Sequence, residues 1–157
     1  MAAFPTLPVL AANLTADGAR QPLQDPAHET VFHEIQTVSA ARIDPCVRAA
    51  QCAFENEWRD VTPSQRATLL RRLADLIEAH ADLIGEAETR SMGKPISASI
   101  GEAHGGASCF RYYAGAIAHL HGNTIPVSRG GLDLTVRSPL GVVACIVPWN
   151  FPFSIAC

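Results

Sequence analysis

Asn150 follows Pro148 and Trp149 at the end of a continuous apolar run, Gly141-Val142-Val143-Ala144-Cys145-Ile146-Val147. A run of this length stopped by proline predicts a strand buried on both faces of a parallel sheet. Open α/β sheets bind ligands just beyond the carboxyl ends of such strands, which makes Asn150 a candidate ligand contact. The plainer reading of an asparagine after Pro-Trp is a turn or cap residue. Other reactive side chains offer less. Cys145 would lie within the buried strand as an inert apolar thiol. His119 and His121 could ligate a metal, but histidines at a helix end more often meet the dipole or solvent, so no metal site is assigned. Gly101-Glu102-Ala103-His104-Gly105-Gly106 lacks G-x-G-x-x-G spacing and lies in a helical stretch instead of after a strand. It is rejected as a phosphate cradle.

The elements that must position Asn150 belong to an ordinary globular chain. Its 157 residues are 48% hydrophobic and 17% charged, which is enough apolar material for a core and too little charge for a disordered chain. A net charge of −3 leaves no basic footprint for nucleic acid or an anionic membrane. The five cysteines (46, 52, 109, 145 and 157) are odd in number and show no C-x-x-C spacing. Reduced thiols in a cytoplasm fit that pattern better than a disulfide framework or a zinc site. The stretch MAAFPTLPVLAANL has no cationic start and is interrupted by Pro5 and Pro8, so neither a signal peptide nor a transmembrane helix is expected.

Residues 1 to 35, with Pro5, Pro8, Pro22 and Pro26, read as an extended arm with one short strand near Thr30 to Ile35. Asp44 then Pro45 predicts an N-cap and first helical position for a short helix ending near Asn56. Thr62-Pro63-Ser64-Gln65 is a capping box, followed by an apolar stripe of Leu69, Leu73, Leu76, Ile77, Leu83 and Ile84. Arg66, Arg71, Arg72, Asp75 and Glu78 read as its solvated face. After Gly93 and Pro95 a long helix runs from about Ile96 to His121, closed by Gly122. Its internal glycines 101, 105, 106 and 115 cost about 1 kcal/mol each against alanine and imply close approach of another backbone. Thr124 to Ser128 and Leu132 to Arg137 flank Arg129-Gly130-Gly131 as a hairpin, with Pro126 marking an edge strand. Only the ten residues Pro148 to Cys157 follow the final apolar run, too few to cross over to a neighbouring parallel strand.

Ser138-Pro139-Leu140-Gly141, the apolar run and Pro148-Trp149-Asn150-Phe151-Pro152 together resemble the NAD(P)-dependent aldehyde dehydrogenase pattern, in which a first Rossmann strand enters Pro-Trp-Asn-Phe-Pro. Met92-Gly93-Lys94-Pro95 is similar to the family's Gly-Lys-Pro loop, and Arg111-Tyr112-Tyr113-Ala114 to its aromatic helix segment. The resemblance runs from about Asn13 to Cys157. It implies an α/β chain: an N-terminal helical segment, a β-hairpin and the first strand of an incomplete Rossmann-like parallel sheet. The implied divisions are an arm at 1–35, the helical part of the cofactor-binding domain at 36–123, a hairpin of the oligomerisation region at 124–138, and the start of the sheet at 139–157.

The same resemblance implies site roles. Asn150 would donate its amide N–H to the oxygen that turns negative when a cysteine thiolate attacks an aldehyde, an oxyanion-hole function. Ile146, Val147, Pro148 and Trp149 would lie along NAD or NADP, although ordinary strand burial explains Ile146 and Val147 equally well. The family's nucleophilic cysteine and water-activating glutamate lie downstream of this motif, with no counterpart here. Cys157 falls where the family begins a structural helix and is not taken as the nucleophile. The implied protein is an N-terminal fragment of a cytoplasmic, homo-oligomeric oxidoreductase that converts an aldehyde to a carboxylic acid, and the fragment alone is expected to be inactive. Two rivals stand beside it: a non-catalytic subunit that docks onto a complete paralogue, and a helical binding module, which would leave the Pro-Trp-Asn-Phe-Pro segment without purpose.

Overall fold

The computed structural model describes residues 16–157, so the start of the arm and Asn13 lie outside the described residues. The order of elements is β1 (Arg20–Asp25), β2 (Thr30–Gln36), α1 (Ile43–Ala53), α2 (Pro63–Ala79), α3 (Ala81–Met92), α4 (Ile96–Ala116), β3 (Thr124–Ile125), β4 (Asp133–Leu134) and α5 (Pro152–Ala156). The described residues fall into two compact units, one holding residues 16–60 with Arg90–Gly93, the other Val61–Thr89 with Lys94–Cys157.

In the first unit the arm is a hairpin and not a single strand. β1 pairs antiparallel with β2 from Arg20↔Gln36 to Asp25↔Thr30, with a bulge between Leu23 and Gln24. Its turn is built by Asp25, whose carboxylate accepts the Ala27 N–H at 2.8 Å and lies 2.9 Å from His28 Nδ1. Helix α1 starts one residue before the expected cap. A short 3-10 turn at Ala40–Arg42 leads into it, and Asp44 lies in its first turn, where a carboxylate suits the positive end of the dipole. A wide turn at Phe54–Trp58 extends the helical path beyond Asn56. Gly93 has φ 78, and a Cβ there would come within 2.9 Å of the Pro26 ring. Glycine thus serves both the left-handed turn that ends α3 and the close approach.

In the second unit, α2 begins with the expected capping box: Thr62 Oγ1 accepts the Gln65 N–H and Gln65 Oε1 accepts the Thr62 N–H. The apolar stripe does not continue as one helix, since the chain breaks at His80 before α3. Leu69, Leu73 and Leu76 are exposed at 47%, 41% and 52%, while the buried positions are Ala67, Ala74, Ile77 and Ala81. The reason is packing distance. Helix α4 brings Ala107 against Ala74 and Ile77, and small residues on both helices let the axes approach where leucines would hold them apart. Asp75 and Glu78 are not merely solvated, because both pair with Arg111 across the α2–α4 contact, Asp75 at 2.9 Å.

Only some of the glycines of α4 fulfil the expected close approach. A Cβ on Gly106 would meet Cys157 Sγ at 2.8 Å and the Phe153 ring at 3.0 Å, whereas Gly101, Gly105 and Gly115 face open space. The close neighbour of α3 is also glycine-mediated, with Gly85 against Ile100. Past α4 and a 3-10 turn at Ile117–His119, β3 and β4 form the expected hairpin in a reduced form, Thr124↔Leu134 and Ile125↔Asp133.

The apolar run 141–147 departs from the sequence expectation. It forms no strand, Val143 is 69% and Ile146 93% exposed, and Cys145 is an exposed thiol instead of a buried one. A parallel strand takes its hydrogen bonds and its two covering faces from neighbours, and among the described residues no strand lies alongside this one. The described sheets are two antiparallel pairs, β1–β2 and β3–β4.

Candidate active-site segment

The Pro148-Trp149-Asn150-Phe151-Pro152 segment forms a turn at Trp149 and Asn150 and runs into α5 with Pro152 at its first position. Proline is suited to that position because its fixed φ is helical and its missing N–H would be an orphan donor there. Trp149 is 81% exposed and Asn150 is exposed, with no hydrogen bond to its side-chain amide among the described residues. Its side-chain N–H groups therefore face solvent.

What fixes this turn is a cluster of charged side chains that sequence reading did not assemble. Lys94 Nζ lies 2.5 Å from Glu102 Oε1 and 3.9 Å from Glu88 Oε2. These side chains keep only 13%, 16% and 7% of their surface. The same ammonium sits 4.2 Å from the centre of the Phe151 ring, a cation–π distance. Glu88 Oε1 in turn accepts the Phe153 backbone N–H at 3.2 Å, satisfying one of the donors that the first turn of α5 leaves open. Residues on both sides of the α3–α4 corner thus hold the chain immediately after Asn150. Lys94 carried a signal, the Gly-Lys-Pro resemblance, but Glu88 and Glu102 sit on different helices and no sequence period links them.

The far end of α5 is seated on α4. Phe153 and Cys157 pack beside Ala74, Ile77 and Ala107, and Cys109 Sγ lies 3.4 Å from the Cys157 carbonyl oxygen. Burial, then the neighbouring Cys109 and Glu88, push the Cys157 thiol above the usual range. A thiol held neutral is a poor nucleophile. Ile146, Val147, Pro148 and Trp149 form an uncovered apolar edge leading to Asn150, with Val147 half-buried. His119 and His121 are exposed, and no group of three potential metal-binding side chains occurs among the described residues. The Gly101–Gly106 stretch lies inside α4.

The model of the aldehyde dehydrogenase family matches residues 14–157. The chain belongs to the aldehyde dehydrogenase family. An aldehyde dehydrogenase of Aspergillus niger is 38% identical over 137 residues, covering 87% of this chain and 28% of the relative. The NADP/NAD-dependent aldehyde dehydrogenase PuuC of Escherichia coli strain K12 is 38% identical over 135 residues, covering 85% of this chain and 27% of PuuC. Among solved structures, the aldehyde dehydrogenase of Brucella melitensis biovar abortus 2308 superposes with a TM-score of 0.83 at 34% identity, over 90% of this chain and 29% of that one. This aldehyde dehydrogenase chain therefore spans between a quarter and a third of the length of the relatives it matches. No helix among its described residues is long and apolar enough to cross a membrane.

Proposed function

We propose that these residues are the N-terminal part of an enzyme that oxidises an aldehyde to a carboxylic acid with NAD or NADP, and that Asn150 is its oxyanion donor. The observation that carries this reading is the Pro-Trp-Asn-Phe-Pro turn, in which Asn150 is left open while the residues after it are tied to Lys94 and Glu88. A donor fixed in advance needs no reorganisation when charge develops, and a neutral amide strengthens its hydrogen bond as the aldehyde oxygen becomes negative. It therefore acts on the transition state more than on the bound aldehyde.

The uncovered apolar edge from Ile146 to Trp149 is compatible with one wall of a dinucleotide site, offering backbone and apolar contacts. When bound, the nicotinamide accepts hydride from the substrate carbon. Residues 146 to 149 would orient the ring and exclude water from it, and in the complete enzyme the run 141–147 would be the first strand of a parallel sheet. The nucleophilic cysteine and the water-activating glutamate would come from sequence following Pro-Trp-Asn-Phe-Pro. The hairpin at 124 to 138 would join an intersubunit sheet of a homo-oligomer, and the five free cysteines accord with a cytoplasmic setting.

The test compares the 157-residue chain with the complete enzyme, meaning these residues continued by the remainder of the family's sequence. Both are assayed for NADH or NADPH formation on aliphatic and aromatic aldehydes. Turnover is expected from the complete enzyme and none from residues 1–157, whose Cys157→Ser variant controls for an unexpected nucleophile. A complete enzyme inert on every aldehyde, or turnover by the short chain that vanishes in Cys157→Ser, would contradict the proposal.

A further inference from the structure

We infer that Lys94 is a positioning residue for Asn150: through Phe151 and through Glu88 it fixes the turn that presents the asparagine amide to the reacting oxygen. The inference rests on the oxyanion reading of Asn150 and adds to it the group that sets the amide's place.

Lys94 reaches the turn by two routes. The direct route is the ammonium 4.2 Å from the centre of the Phe151 ring, whose backbone is bonded to Asn150. The indirect route passes through Glu88, 3.9 Å from the ammonium, whose other oxygen holds the Phe153 N–H at 3.2 Å. Glu102 completes the arrangement at 2.5 Å and fixes the ammonium from α4. These three ionic side chains are largely withdrawn from solvent, where charge interactions are screened less than at the surface. Exposed ion pairs, by contrast, contribute little.

The location is also mechanically suitable. Gly93, in the left-handed conformation, ends α3, and Pro95, which precedes the first residue of α4, restricts the backbone of Lys94 to extended conformations. Asn150 itself has no side-chain hydrogen bond among the described residues, so its placement depends on its backbone. The chain just after it is held by the Phe151 ring and the Phe153 backbone N–H, and both contacts lead to Lys94, the second through Glu88.

A misplacement of the order of 1 Å in a group acting on the transition state can cost up to about a hundredfold in rate. Lys94→Met in the complete enzyme is therefore expected to lower kcat by roughly tenfold while the cofactor KM stays nearly constant. A merely structural lysine would lower activity equally whether or not Asn150 is present. The deciding experiment is accordingly a double-mutant cycle of Lys94→Met with Asn150→Ala. Once the asparagine amide is gone, Lys94→Met should cause no further loss of kcat. An equal fold loss in both backgrounds, or no loss in either, would overturn the inference while leaving Asn150's own role intact. An Asn150→Ala variant with unchanged kcat would overturn the oxyanion reading itself and this inference with it. Should Lys94→Met fail to fold, Phe151→Leu removes the aromatic face alone and is run through the same cycle, where additivity or inertness would count equally against the direct route. Lys94→Arg, which keeps the charge over the ring, is expected to recover most of the rate, and failure to do so would contradict the cation's part in it.

Discussion

At the scale of residues, the chain separates a side chain that is open from one that is withheld. Asn150 is exposed on a braced turn, whereas Cys157, seven positions later, is half-buried against α4 with its thiol pushed upward by burial, Cys109 and Glu88. Thiolate is the reactive form, so burial and a raised pKa act in the same direction. Alkylation of the native chain with iodoacetamide near pH 8, followed by peptide mass spectrometry, should modify exposed Cys52 and Cys145 before Cys157. Faster modification of Cys157 would show that its environment activates the thiol. Asn150 stands out as a candidate because its neighbours form a specific motif. The brace was not, since Glu88, Lys94 and Glu102 meet only after two helices fold back on one another, and Cys145 was misread because its burial depended on a strand.

Among elements, those specified by their own residues were legible and those specified by partners were not. The capping box of α2 is complete within four residues, and it formed as expected. The leucine stripe has sound helical spacing, yet alanines on the adjoining face make the contact with α4 and leave Leu69, Leu73 and Leu76 exposed. Periodicity marks a helix, but which face is buried depends on what approaches it. The β3–β4 hairpin illustrates this further. Its location was legible from the turn residues, but only two residue pairs form its ladder, and Leu132, Leu134 and Val136 are exposed. A two-stranded ribbon with so much apolar surface is marginal alone in water. In the complete enzyme Leu134→Lys is therefore expected to shift the oligomer towards smaller species in light scattering. An unchanged mass would remove the hairpin from the subunit interface.

For the whole molecule, the family assignment and the open apolar run lead to the same requirement. The chain has the fold neighbours of aldehyde dehydrogenases over about a third of their length, and its run 141–147 has strand composition without strand partners among the described residues. Sequence composition measures how well a segment suits a sheet; only neighbouring strands satisfy its backbone groups. That is why the helical part of the expected architecture is present and the parallel sheet is not among the described residues. The central claim concerns the one group these residues would bring to the chemistry, and a single substitution addresses it. In the complete enzyme, Asn150→Ala should lower kcat by roughly 10² to 10³ while the cofactor's dissociation constant stays nearly the same, because an oxyanion donor acts on charge that exists only in the transition state. A kcat equal to that of the unmodified enzyme would contradict the account.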